Sequence, residues 1–290
     1  MSISARVIEH STTETGDEII TFMLRYPRFI HAEFMTHRQF SRNASSSRAI
    51  PVSRLIADVE SDPAMPLHFG RNQKGMQAHE ELKPAEIESV KRIWLEAKDE
   101  AVAKAKFMAE IGAHKQIVNR VLEPFAHINV VMTTCFMDNF YTLRLHEDAQ
   151  PEIKMLAEAM HNAQAASTPR VLKVGEFHKP FVSDEEMKEL GNSGTGFPNF
   201  LKASVARCAR TSYLTHDGKI PELEKDIHLF NRLIVSKPIH ASPCEHQACV
   251  HEESRDMVRR LGMNGNLSTA WIQFRKIIEH TAEEATKEVA

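Results

Sequence analysis

From about residue 76 to 122, apolar residues recur every three or four positions, and this long helical period limits the fold more than any other feature. Ile87, Val90, Ile93, Trp94 and Ala97 form one stripe. Phe107, Met108, Ile111, Val118, Val121 and Leu122 form a second, with Glu and Lys between them. Such stripes bury one face of a helix and leave the other in water. Gly112 marks a break, so two helices are predicted. The stripes read as helix core rather than as a ligand box.

The flanking sequence has other periods. Residues 3–9 and 18–25 read as short strands joined by the polar turn STTETGD. In residues 26–37, Phe29, Ile30, Phe34 and Met35 fit a short helix, and MTHRQFSRNASSSRAIP (35–51) follows as a loop. INVVMTT (128–134) is β-branched and apolar, a strand or the buried start of a helix. Residues 138–164 are helical in pattern. Pro151 predicts a break near 146–149 and a new helix beginning at the proline. The polar, Gly-rich stretch 183–200 reads as a linker or flexible loop. LKASVARCARTSYL is a short helix, Leu223, Ile227, Phe230 and Leu233 share one face of the next, and the tail EEATKEVA reads as frayed.

Length and charge set outer limits. A chain of 290 residues with 42% apolar and 26% charged residues suits one large domain or two small ones. A net charge of -3 gives no global basic field for nucleic acid, so anion binding must be local. No stretch approaches the length of a membrane span. The first residues lack the apolar core of a signal peptide. Cys135, Cys208, Cys244 and Cys249 are too few for a disulfide scaffold and are expected as reduced thiols in the cytoplasm.

Local donors are concentrated in residues 35–51, which hold three arginines, one histidine and five Ser or Asn residues. Either the stretch is a solvated basic loop or it lines a pocket for a phosphorylated ligand. Arg144 lies among apolar residues in NFYTLRL and needs a partner, because an unpaired buried charge is costly. Its rigid fork matches phosphate, carboxylate or a pyrimidine edge, and pairing with a nearby Asp or Glu is the plain alternative. Arg120 precedes Pro124 by four residues. His240, Cys244, His246, Cys249 and His251 could mark a zinc site, although no CxxC pair is present. There is no G-x-S-x-G, G-x-G-x-x-G or Walker A sequence.

THRQFSRNASSSR resembles the signature of the flavin-dependent thymidylate synthases, the ThyX family: Arg-His-Arg, seven residues, Ser, one residue, Arg. The matching positions are Thr36, His37, Arg38, Ser46 and Arg48, with Ser41 and Asn43 also in place. NRVLEP resembles the family's Arg-x-x-x-Pro and NFYTLRLHEDAQPEI its Asn-Phe-x-x-Leu-Arg…Ala-Gln-x-Glu-Ile. ARCARTSY (206–213) and HASPCEHQA (240–248) resemble segments that ordinarily precede the signature. Here they follow it, an order like a circular permutation. Departures are Thr36 for Arg, Ala44 for Glu, Thr133 and Cys135 near flavin-contact positions, Asp148 for His and Cys244 for Phe.

The resemblance implies an α+β fold: one domain over 1–290, with long helices around a small mixed or antiparallel sheet. Residues 1–182 carry the signature and helices, 183–200 link, and 201–290 complete the fold. It implies reductive methylation of dUMP to dTMP with methylene-tetrahydrofolate, reduced FAD and NADPH, in a homotetramer with shared sites. Arg144 would be catalytic and, with Glu33, Ser46, Arg48 and Arg120, would bind the nucleotide. His37, Arg38, Ser41, Asn43, Asn139, Ser212 and His246 would bind the flavin. No resident metal, membrane or nucleic-acid partner is expected. Two alternatives stay open: a one-carbon transfer giving a 5-hydroxymethyl nucleotide from dUMP or dCMP, and a zinc-stabilised or flavin-free nucleotide-binding protein.

Overall fold

The computed structural model describes residues 3–191, 196–211, 222–235 and 240–287. Strands β1 (Ser4–Thr13) and β2 (Glu18–Pro27) form an antiparallel hairpin whose turn uses Gly16 at φ +85°. β3 (Ser41–Ala44) lies inside the stretch read as a loop, and β4 (His127–Thr134) settles the apolar run 128–134 as a strand. With β5 (Arg170–Leu172) they form a five-stranded sheet in the order β3-β4-β2-β1-β5. All its pairs are antiparallel except β1 with β5.

The period of two in β2 and β4 divides this sheet into two faces. Ile20, Phe22, Leu24 and Tyr26 face one way with Ile128, Val130 and Met132. They pack on α1 (His31–Phe34), α5 (Asp138–Arg144) and α6 (Pro151–Ala165) through Phe34, Phe140, Ile153, Leu156 and Met160. The predicted break before Pro151 therefore falls between α5 and α6. A second core joins α2 (Val52–Ser61), α3 (Pro84–Glu110) and α4 (Lys115–Leu122). Gly112, at φ +85°, separates α3 from α4 as the period required.

The other face carries Thr21, Val131 and Thr133, and the rest of the chain packs there. The remaining helices are α7 (Asp184–Leu190), α8 (Asn199–Ala209), α9 (Leu223–Val235), α10 (Arg255–Leu261) and α11 (Phe274–Lys287). Strands β6 (Phe177–His178), β7 (Ala248–Val250) and β8 (Trp271–Gln273) form a small antiparallel sheet. Ile19 of β2 and Leu172 of β5 share a buried cluster with Ala248, Val250, Leu267 and Trp271.

Two readings need correction. The stretch 183–200 is not all loop: Ser183 accepts from the Glu186 amide (3.1 Å) and caps α7, whose first turn is Asp-Glu-Glu. The stretch read as a frayed tail begins as helix, since α11 runs to Lys287. Among the described residues no helix is long and apolar enough to cross a membrane.

Candidate active site

The short helix α1 and the end of α5 bring three predicted residues together. Arg144, in the last turn of α5, pairs through Nη1 with the Glu33 carboxylate of α1. Its Nε donates to Nε2 of His37 at 3.0 Å. His37 is buried, stacked on Phe40 (centroids 5.7 Å) and edge-on to Phe140 (4.9 Å). Burial, then the Arg144 and Arg42 charges, push its pKa down to about 4. The ring is thus neutral at pH 7 and free to accept from Arg144. Two of the three guanidinium nitrogens are engaged in these contacts, which leaves Nη2 for a ligand.

Glu33 and Arg144 line a cavity of about 870 Å³, with Phe29, Trp94, Met76 and Gln150 among its other walls. It lies near the top of the roughly 300–1,000 Å³ range of small-molecule pockets.

The donor-rich stretch divides its labour. Arg42 Nη1 donates to the carbonyls of Met35 and His37 (3.0 Å each) and closes the signature turn from within. Arg38, Ser46 and Arg48 are exposed. Ser47, not Ser46, makes the internal bond, donating to Glu123 at 2.6 Å. Glu123 also pairs with Arg28 (3.2 Å) and Arg120 (3.1 Å). Asn119 ties the loop down by donating to the carbonyls of Ser47 (2.7 Å) and Ile50 (3.0 Å). Sequence reasoning passed over Asn119 and Glu123, although they flank Arg120 in the motif. Ser46, Arg48 and Arg120 do not line the Arg144 cavity within one chain.

Other predicted flavin contacts lie on the opposite face of the sheet. Ser41 donates to Asn266 (3.0 Å), and Asn43 donates to the Cys208 carbonyl (3.2 Å). His246 is fully buried and bonds through Nδ1 to the Thr133 hydroxyl (2.8 Å). Burial holds its pKa down at about 3, and its Nε2 has no hydrogen-bond partner. The chain of hydroxyls continues from Thr133 to Thr21 (2.6 Å), to His178 Nε2 (2.8 Å), and from His178 Nδ1 to Ser11 (2.9 Å). No sequence signal marked His178 or Thr21; the cross-strand register of Thr21 with Thr133 creates the link. Asn139 is exposed at the start of α5 and lines a separate cavity of about 300 Å³ with Cys135 and Asp138. Ser212 lies outside the described residues. His240, Cys244, His246, Cys249 and His251 do not converge: among the described residues no group of three or more His, Cys, Asp or Glu could hold a metal ion.

The family model described as thymidylate synthase complementing protein matches residues 5–170. A flavin-dependent thymidylate synthase of Aquifex aeolicus (strain VF5) is 28% identical over 161 residues, 53% of this chain and 48% of that protein. The chain thus spans about half the length of this curated relative. Among solved structures, the UMP/dUMP methylase PolB of Streptomyces cacaoi bound with 5-Br UMP has a TM-score of 0.46 at 19% identity, covering 57% of this chain and 89% of that one. The same protein bound with 5-Br dUMP has a TM-score of 0.42 at 23% identity, covering 51% and 67%.

Proposed function

This chain belongs to the thymidylate synthase complementing protein family, the ThyX family, and on that premise we propose that it methylates dUMP to dTMP. The observation that carries the reading is the Glu33–Arg144–His37 constellation on the wall of the large cavity. Arg144 is braced on two sides. Glu33 fixes one arm, and neutral His37 accepts from Nε without adding a second positive charge. The remaining donor would meet the uracil edge and favour the negative charge that grows on the ring as C5 attacks the one-carbon unit. Preorganisation matters here because the arginine need not reorient during the reaction.

Ser46, Arg48 and Arg120 would take the 5′-phosphate by charge-assisted bonds. They are outside the Arg144 cavity of their own chain, which supports a site completed by a second copy in a homotetramer. Phe107, Ile111 and Ile117 leave apolar surface exposed on and beside α3 and α4, where such a copy could pack.

The donor types suit a flavin as well. Exposed Arg38 offers a cation for its phosphates, exposed Asn139 an amide for its ring edge, and His37 a fixed neutral ring. Bound and reduced by NADPH, FAD would supply the hydride that completes the methyl group; methylene-tetrahydrofolate would supply the carbon. Four free cysteines accord with a cytoplasmic enzyme.

The test is the mass of the nucleotide formed from dUMP, methylene-tetrahydrofolate, FAD and NADPH. A gain of a methyl group supports the proposal. A hydroxymethyl product would mean water had replaced hydride. Binding of dUMP without any product would make the chain a nucleotide-binding relative.

A further inference from the structure

We propose that a cavity of about 420 Å³ between α2, β2, β4 and the end of α8 binds the phosphate of a phosphorylated small molecule, at a site separate from the Arg144 cavity. The inference stands apart from the reading of the Arg144 cavity.

The large sheet sets the two cavities apart. In β2, Phe22, Leu24 and Tyr26 turn toward the core under α5 and α6, so Met23 and Arg25 between them face the other way. In β4, Ile128 and Val130 likewise leave His127 and Asn129 on that other face, with Arg25 directly across from Asn129. All four line the smaller cavity. Arg54 of α2 and Arg210, the residue that ends α8, line it as well. No residue assigned above to the nucleotide or the flavin is among its walls.

Donors outnumber acceptors on these walls. Arg25 holds Asp58 (3.0 Å) and Asp62 (3.4 Å) through Nη2 alone, which leaves Nε and Nη1 to donate. Arg210 holds Asp226 through Nη2, and its Nε is buried with no hydrogen-bond partner. The Ser45 hydroxyl accepts from the Asn129 backbone amide (3.1 Å) and keeps its own proton to give. Against these donors stands one carboxylate among the described lining residues, Asp58, and Arg25 already holds it. Guanidinium forks in such excess call for a ligand rich in acceptor oxygens, and a phosphate group supplies them. The first turn of α2 lies on the same wall without a side-chain cap, so the positive end of its dipole favours the same charge. Met23, Ile50 and Leu55 add an apolar side against which the body of an organic phosphate can rest. The volume lies within the roughly 300–1,000 Å³ range of small-molecule pockets.

Calorimetric titration of the full chain with inorganic phosphate, pyrophosphate and dTTP is the test. Saturable binding is expected. Tighter binding of dTTP than of pyrophosphate assigns the apolar side to the organic body, and equal binding assigns the site to the phosphate groups alone. Arg54 is exposed on α2, so Arg54→Glu should fold normally, which a thermal melt checks. It should weaken binding by about tenfold or more, as expected for a charge reversed against an anion, while Arg54→Lys keeps most of it. Ser61→Asp, at the exposed far end of α2, puts a carboxylate on the same wall and should weaken binding likewise. Arg48→Ala strikes the phosphate position proposed for the substrate and should leave this binding unchanged. Absence of binding by all three compounds, binding that survives both Arg54→Glu and Ser61→Asp, or binding lost in Arg48→Ala overturns the proposal. Turnover of dUMP is measured separately, so failure of the thymidylate reading and failure of this site are seen independently.

Discussion

Arg144 shows why a single side chain can be read correctly for its type and incompletely for its setting. An arginine in NFYTLRL had to find a partner, and it has two: Glu33 and His37. Replacing it with Ala should lower kcat by about a hundred- to a thousandfold, the usual cost of one preorganised donor at developing charge. Lys keeps the charge but loses the fork, so Arg144→Lys should also lose most activity. A rate within a few-fold of wild type in either variant would remove Arg144 from the proposed mechanism. Arg48→Ala should weaken dUMP binding by about 2–4 kcal/mol, read by calorimetry on the assembled protein. Unchanged affinity would move the phosphate elsewhere. His37 and Arg144 stand at positions of the motifs that carry the family resemblance, whereas Glu33 lies outside every one of them. The neutral state of His37 was not legible, since it depends on burial and on a cation 107 residues away in sequence.

Elements were legible where period and punctuation agreed. The Gly112 break, the Pro151 restart and the first hairpin follow from local rules, but the stripe read as core did not give the buried face of α3: Val90, Ile93, Phe107 and Ile111 are exposed, and Lys98, Val102 and Ala105 are buried instead. What was missed depends on pairing over distance. β3 is a strand because β4 lies beside it, and β6, β7 and β8 are too short to carry a period. α7 was missed although Ser-Asp-Glu-Glu is a start signal, because nearby glycines outweighed it. Its role lies in what it meets. Arg207 of α8 is almost fully buried and holds Glu186 of α7 (2.5 Å), Asp226 of α9 (3.1 Å) and the Phe181 carbonyl (2.7 Å). Removing Arg207 takes the cation from half-buried Glu186 and leaves buried Asp226 with Arg210 alone, so Arg207→Ala should cost about 3–5 kcal/mol by denaturant melting. A loss under about 1 kcal/mol, typical of an exposed pair, would mean that the Arg207 network contributes little to holding the three helices together.

For the molecule as a whole, the large sheet is covered on both faces, and the C-terminal third supplies much of one cover. Acid should reveal this. His246 and His178 are buried at that junction and their pKa values are depressed by desolvation; His37 is depressed on the other face. An imidazole with a folded value below its unfolded one, about 6.5, binds more protons when unfolded. Its stabilising share is intact above that pH. It is lost as pH falls toward about 4 for His37 and about 3 for His246. Glu9, whose carboxyl is raised by burial, acts in the opposite sense. Stability should therefore fall between about pH 6.5 and pH 4. His246→Asn, which can keep the Thr133 bond, should flatten that slope in denaturant melts. An unchanged slope would assign acid sensitivity to other groups. Truncation puts the same junction to a sharper test. A fragment ending at Val182 keeps every residue matched by the family model, yet it uncovers Ile19, Leu172 and Val131 and removes His246 from Thr133. Each aliphatic side chain so exposed forfeits about 1.5–3 kcal/mol, a large share of a typical net stability of about 5–15 kcal/mol. The fragment should give no cooperative thermal transition, as expected if residues 183–290 complete one fold with the rest of the chain. A sharp transition with bound flavin would make residues 183–290 an appended unit, and the family core would then stand without them.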